Sequence, residues 1–106
     1  MVRFTILWKS KPTDIQAFER HYHDVHLPLA LKLAGLRRYT LGRDMTPVRG
    51  GEPYYLIAEL EWDDMASFQR AFESPEGRAT SEDMANLIGL VPDVQSMVYE
   101  VENVYP

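Results

Sequence analysis

From Val2 to Lys9 the chain alternates, with its largest apolar groups at Val2, Phe4, Ile6 and Trp8. That period of two predicts a strand with one buried face. After Pro12, the run Thr13-Asp14-Ile15-Gln16 matches a capping box, with the Thr13 hydroxyl placed to accept from the backbone N–H of Gln16. At about 100° per residue, Ile15, Phe18, Tyr22, Val25, Leu29 and Leu33 then share one helical stripe, and Gly35 supplies a left-handed stop. Pro28 removes a helical hydrogen bond and disfavours helical geometry at Leu27, which predicts a kink or restart there. Leu36 to Met45 reads as a second strand, Thr46 to Pro53 as a loop, and Tyr54 to Trp62 as a third strand apolar at Leu56, Ala58, Leu60 and Trp62. Asp63 or Asp64 caps a helix carrying Met65, Phe68 and Phe72. Ser74-Pro75-Glu76 breaks that helix before a second stretch with Met84, Leu87 and Ile88, closed by Gly89, and Val94 to Val104 alternates as the last strand.

The order β-α-β-β-α-β predicts an α+β, ferredoxin-like fold: one domain over residues 1–106, a four-stranded antiparallel sheet and helices on one face. The strands carry further apolar groups at Leu7, Leu41, Ile57, Met97, Tyr99 and Val101. An uncovered sheet face bearing them predicts a homodimer in which two sheets pack face to face.

Charge is divided along the chain. Residues 1–50 hold nine Lys/Arg against four Asp/Glu, and residues 51–106 hold two against twelve. Interleaved strands would pair Arg37, Arg38 and Arg43 with Glu59, Glu61, Glu100 or Glu102. The net charge of −5 leaves no basic face for nucleic acid or an anionic membrane. Cysteine is absent, which removes thiolate metal sites and thiol nucleophiles and fits a reducing, cytoplasmic setting. No apolar run approaches the ~18 residues of a membrane span.

Four segments in order carry a resemblance: Phe18-x3-Tyr22-x3-His26-x-Pro28-Leu29, Ala34-Gly35-Leu36-Arg37-Arg38-Tyr39, Ala58-Glu59-Leu60, and Phe72-Glu73-Ser74-Pro75-Glu76-Gly77-Arg78. Together they resemble the EthD family of the dimeric α+β barrel superfamily. The chain has Ala34 where that family usually has proline, and an additional His23 inside the helix motif. The resemblance implies a cleft between helices and sheet that holds an apolar or aromatic small molecule. Some related families act there without a cofactor, moving protons with a His or Tyr on polyketide or lactone substrates.

On the predicted helix His26 lies about 45° from the centre of the apolar stripe, at the rim of the core and one turn after Tyr22. A dry histidine beside a tyrosine is a candidate acid/base pair, and the structural alternative is that His26 bonds a backbone group freed by Pro28. Trp8, Tyr39, Ala58 and Trp62 are candidate substrate contacts, with small Ala58 leaving room among bulky neighbours and core packing as the alternative for each. Glu59 is expected to pair with an arginine of the second strand, and His21 to lie on the surface. Glu19, His23 and His26 at i, i+4 and i+7 permit a two-histidine, one-carboxylate metal site, but the kink at Pro28 works against a shared geometry. The expectation is therefore no metal and no cofactor. The leading function is isomerisation, cyclisation or oxygenation of an apolar or aromatic carbonyl compound, and the rival is a non-catalytic carrier.

Overall fold

The computed structural model describes residues 1–106. Strands β1 (Val2–Trp8), β2 (Arg38–Gly42), β3 (Leu56–Trp62) and β4 (Val94–Glu100) form one antiparallel sheet in the order β2-β3-β1-β4. The first crossover holds α1 (Ile15–His21), a π-helical turn (Tyr22–His26) and α2 (Leu27–Ala30), and the second holds α3 (Met65–Glu73) and α4 (Pro75–Ile88). This is the ferredoxin-like arrangement that the alternation predicts.

Register explains the core. Phe4 stands between Leu60 and Val98, Ile6 between Ala58 and Ser96, and Trp8 between Leu56 and Val94. These rows face the helices, where they pack with Phe18, Tyr22, Leu33, Ala71 and Leu87. Burying each large side chain is worth about 1.5–3 kcal/mol. Phe4, Trp62, Phe68 and Phe72 seat α3 through ring contacts of 5.1 to 5.7 Å between centroids. Gly35, at φ 75°, turns the chain against the Trp62 indole, whose Nε1 donates to the Ala34 carbonyl at 2.9 Å.

Several local expectations are corrected. The first cap is Asp14, whose carboxylate accepts from Ala17 N–H at 3.0 Å, while Thr13 N–H is held by the Leu90 carbonyl at 3.0 Å and its hydroxyl also reaches that oxygen. An ionised carboxylate is the stronger acceptor for free helical N–H groups. Leu27 keeps helical angles, φ −58° and ψ −46°, so the chain does not break before Pro28. Instead the Leu27 N–H reaches back five residues to the Tyr22 carbonyl, a wide turn that makes room for the proline ring. The extra residue changes the stripe: Phe18, Tyr22, His26, Ala30 and Leu33 are buried, whereas Ile15 and Val25 are exposed.

Asp64 caps α3 by accepting from Ser67 N–H at 2.8 Å. Ser74 closes α3 by donating to the Ala71 carbonyl at 2.6 Å and opens α4 by accepting from Gly77 N–H at 3.1 Å. A Cβ on Gly77 would overlap the Ala71 carbonyl oxygen and the Phe72 backbone, so only glycine lets the two helices meet at this corner.

On the open sheet face the charges pair differently from the expectation. Arg3 of β1, rather than an arginine of β2, meets Glu59 at 3.5 Å as well as Glu61 at 2.8 Å, because Arg3 stands directly opposite Glu61. Arg38 approaches Glu61 at 3.6 Å, but Arg37 pairs with Asp63 and Arg43 with Glu19. Leu41 pairs with Ala58 and therefore faces the helices, whereas Leu7, Ile57, Met97 and Tyr99 remain on the open face. β2 begins later and β4 ends earlier than the alternation suggests. Beyond β4 a single backbone bond, Val101 N–H to the Met1 carbonyl at 2.9 Å, continues the pairing.

Candidate functional site

The wide turn decides where the histidines go. In a regular helix His21 and His26, five residues apart, would point about 140° from each other. Closing the turn over five residues brings both onto α4, where they share one carboxylate. His21 Nε2 lies 2.8 Å from Asp83 Oδ1, and His26 Nδ1 lies 2.9 Å from Asp83 Oδ2. Asn86 Nδ2 donates to Oδ1 at 3.0 Å. Asp83 itself sits on the buried stripe of α4 with Gly77, Thr80 and Leu87.

His26 is 3% exposed and Asp83 8%. Burial pulls the His26 imidazole below its usual value, against the opposing hydrogen bond and charge of Asp83. Burial also pushes the Asp83 carboxyl up, but hydrogen bonds from Asn86, His26 and His21 outweigh it and hold the group below its ordinary range. At neutral pH the pair is therefore a carboxylate accepting from His26 Nδ1–H, with Nε2 left as an acceptor without a protein partner.

His26 borders a pocket of about 210 Å³ between sheet and helices, walled mainly by Phe4, Ile6, Leu60, Phe72 and Met84. Tyr39, from β2, borders it too. Its hydroxyl lies 2.7 Å from that of Tyr22, whose ring stands 5.4 Å from the His26 ring. Burial raises both phenols above their usual value, so both keep their protons. Two protonated hydroxyls in line leave one O–H to donate elsewhere, and Tyr39 is the member that reaches the pocket.

Of the residues singled out from sequence, the structure thus brings His26 and Tyr39 to one pocket and sets Tyr22 behind Tyr39. Trp8, Ala58 and Trp62 are completely buried and lie in the packing rather than along the pocket wall. Trp8 meets Phe18 edge-on at 5.2 Å, and its Nε1 is the sealed side-chain atom without a partner. Of Glu19, His23 and His26 only the first two stay together, with His23 Nε2 3.5 Å from Glu19 Oε1: Glu19 also accepts from Arg43 at 2.8 and 3.2 Å and from the Tyr55 hydroxyl at 2.6 Å, while His26 turns to Asp83. His21 is half-buried on Asp83 rather than at the surface. Asp83 was not singled out, although a signal exists: it lies three residues after Thr80 and four before Leu87, a carboxylate on an otherwise buried stripe. Such a group needs a partner.

Fold and site together define a ferredoxin-like α+β protein with a histidine–carboxylate pair beside an apolar pocket. The chain belongs to the EthD family: the EthD domain matches residues 10–90. It is 34% identical over 87 residues to an uncharacterized 11.0 kDa protein of Rhodococcus erythropolis, covering 81% of this chain and 82% of that protein. The crystal structure of an EthD family protein of Bacillus halodurans is 34% identical, with a TM-score of 0.82 over 96% of this chain and 99% of that one. Two more distant structures share the fold. The hydroxynitrile lyase of Passiflora edulis has a TM-score of 0.75 at 16% identity, covering 99% and 96% of the two chains. A dimeric ferredoxin-like protein of Thermobifida fusca has a TM-score of 0.68 at 17% identity, covering 94% and 90%.

Proposed function

We propose that this protein is a cofactor-free enzyme that moves a proton on an apolar or aromatic carbonyl compound held in the pocket beside His26. The observation that carries the reading is the neutral, buried His26, whose Nδ1 is fixed on Asp83 while its ring borders an apolar cavity. In the proposed step His26 Nε2 takes a proton from the carbon next to the carbonyl, and Asp83 stabilises the resulting imidazolium. Negative charge develops on the carbonyl oxygen, toward which Tyr39, backed by Tyr22, donates its hydroxyl. Return of the proton to a different atom gives isomerisation, and attack of the resulting carbanion on a second carbonyl gives cyclisation. His21 and Asn86 hold the other carboxylate oxygen and so position Asp83. The hydroxynitrile lyase of the same fold supports small-molecule catalysis on this scaffold.

The working unit in this proposal is a homodimer of the single domain, joined through the open sheet face. Exposed Met97 and Tyr99 and half-buried Leu7 and Ile57 supply its apolar part, and the dimeric neighbour supports it. A cytoplasmic setting accords with a chain free of cysteine.

The test is hydrogen–deuterium exchange at the α-carbon of simple aryl ketones, followed by NMR. His26→Gln is expected to slow exchange ~10²–10⁴-fold, the range for losing a general base, with the melting temperature kept within a few degrees. Equal exchange in His26→Gln and the unmodified protein would remove His26 as the base, and exchange no faster than in buffer alone, with binding retained, would instead establish the carrier reading.

A further inference from the structure

The pocket also restricts the charge and size of what it takes. Its wall is 11 residues, and none is Lys, Arg, Asp or Glu. A bound anion would lie in a desolvated site without a cation, and unpaired buried charge is among the costliest things a protein can hold. Directly behind His26 in that wall stands the Asp83 carboxylate, at 2.9 Å, and its sign repels an anion further. A cation meets only aromatic faces and a carboxylate that His26, His21 and Asn86 already occupy.

Volume sets the second limit. An apolar protein cavity of about 150 Å³ accepts benzene, and pockets for drug-sized ligands run from about 300 to 1,000 Å³. At about 210 Å³ this pocket has room for one ring and a short substituent, but none for a fused polycycle. Polar capacity is small as well. The Thr80 hydroxyl is spent on the Glu76 carbonyl at 2.8 Å, and Ser81 and Ser96 are exposed. His26 Nε2 and the Tyr39 hydroxyl are then the two inner polar contacts on offer.

We propose that the pocket is selective for uncharged, single-ring or similarly compact compounds bearing one or two oxygen functions, and rejects carboxylates, phosphate esters and fused polycyclic molecules. This rests on the catalytic reading of the same pocket only in taking His26 and Tyr39 as the polar contacts.

Calorimetric titration of the full protein with acetophenone, benzoate, benzylamine and 2-acetylanthracene tests it. Acetophenone is expected to bind, and the other three at least about tenfold more weakly, the discrimination that desolvating a charge or exceeding the cavity demands. Replacing exposed Ser81 by Trp, which narrows the pocket without touching the core, should weaken acetophenone by a similar factor. Benzoate, benzylamine or the tricyclic ketone binding as tightly as acetophenone, or no binding of acetophenone by the unmodified protein, would overturn the proposal. The two readings fail separately. Acetophenone binding without deuterium exchange removes the catalytic reading and leaves the selectivity, whereas exchange on the tricyclic ketone removes the selectivity and leaves the catalysis.

Discussion

Asp83 concentrates more of the site's energetics than any other side chain, because its two oxygens serve His21, Asn86 and His26 together. Its hydrogen bond and charge raise the basicity of His26, against burial. Asp83→Asn is therefore expected to move the acid limb of the pH–rate profile to lower pH and to cut deuterium exchange about 10²-fold. The same shifts govern stability. The His26 imidazole is depressed in the folded state, so the unfolded chain binds the extra proton first, and stability falls as pH drops through about 6.5. Asp83, also depressed, adds a further loss as pH falls through about 4. Urea unfolding at pH 7.5 and 5.5 checks this: the midpoint should drop on acidification, and His26→Gln should flatten the difference. Gly77 sets a separate constraint, since a Cβ there meets backbone that cannot move aside. Gly77→Ala is expected to cost about 1–3 kcal/mol or more, read as a melting temperature lower by roughly 5–20 °C.

Among the elements, the strands were the most legible, because alternation at Val2, Phe4, Ile6 and Trp8 and at Leu56, Ala58, Leu60 and Trp62 answers directly to one buried sheet face. The first helical crossover was half legible. Pro28 announces an irregularity, but periodicity counted at 3.6 residues per turn cannot show that the turn before it widens. Val25 therefore read as core and His26 as rim, the reverse of the burial found. The histidine–carboxylate pair was hidden for the same reason, since it joins residues 57 apart through a turn that a regular helix would aim elsewhere. Deleting exposed Asp24 tests that role of the turn. Shortening Tyr22–His26 by one residue should restore a regular helix and swing His21 away from Asp83. A folded variant is expected by circular dichroism, with deuterium exchange down at least about tenfold.

For the molecule as a whole, the two sheet faces divide the labour, one closing the pocket and the other, free of helices, being the face proposed for the dimer. Met97→Arg places charge on the open face, at mid-length of the edge strand β4 and opposite Thr5 of β1. In light scattering the unmodified protein is expected at twice the chain mass, and the variant at the mass of one chain, since an unpaired charge buried in an interface costs several kcal/mol. Acetophenone binding should survive within about threefold, because the pocket lies on the other side of the sheet. The glycine corner bears on how a ligand comes and goes. Phe72 of α3 and Thr80, Ser81 and Met84 of α4 all border the cavity, and the close backbone approach of Gly77 to Ala71 and Phe72 packs the two helices against each other along this wall. Two helices packed backbone to backbone make a poor door. Traffic of a ligand of the proposed kind would then run through the rim, where Ser81 and Ser96 meet solvent, and its exchange rate is expected to follow side-chain motion at that opening rather than movement of the helices.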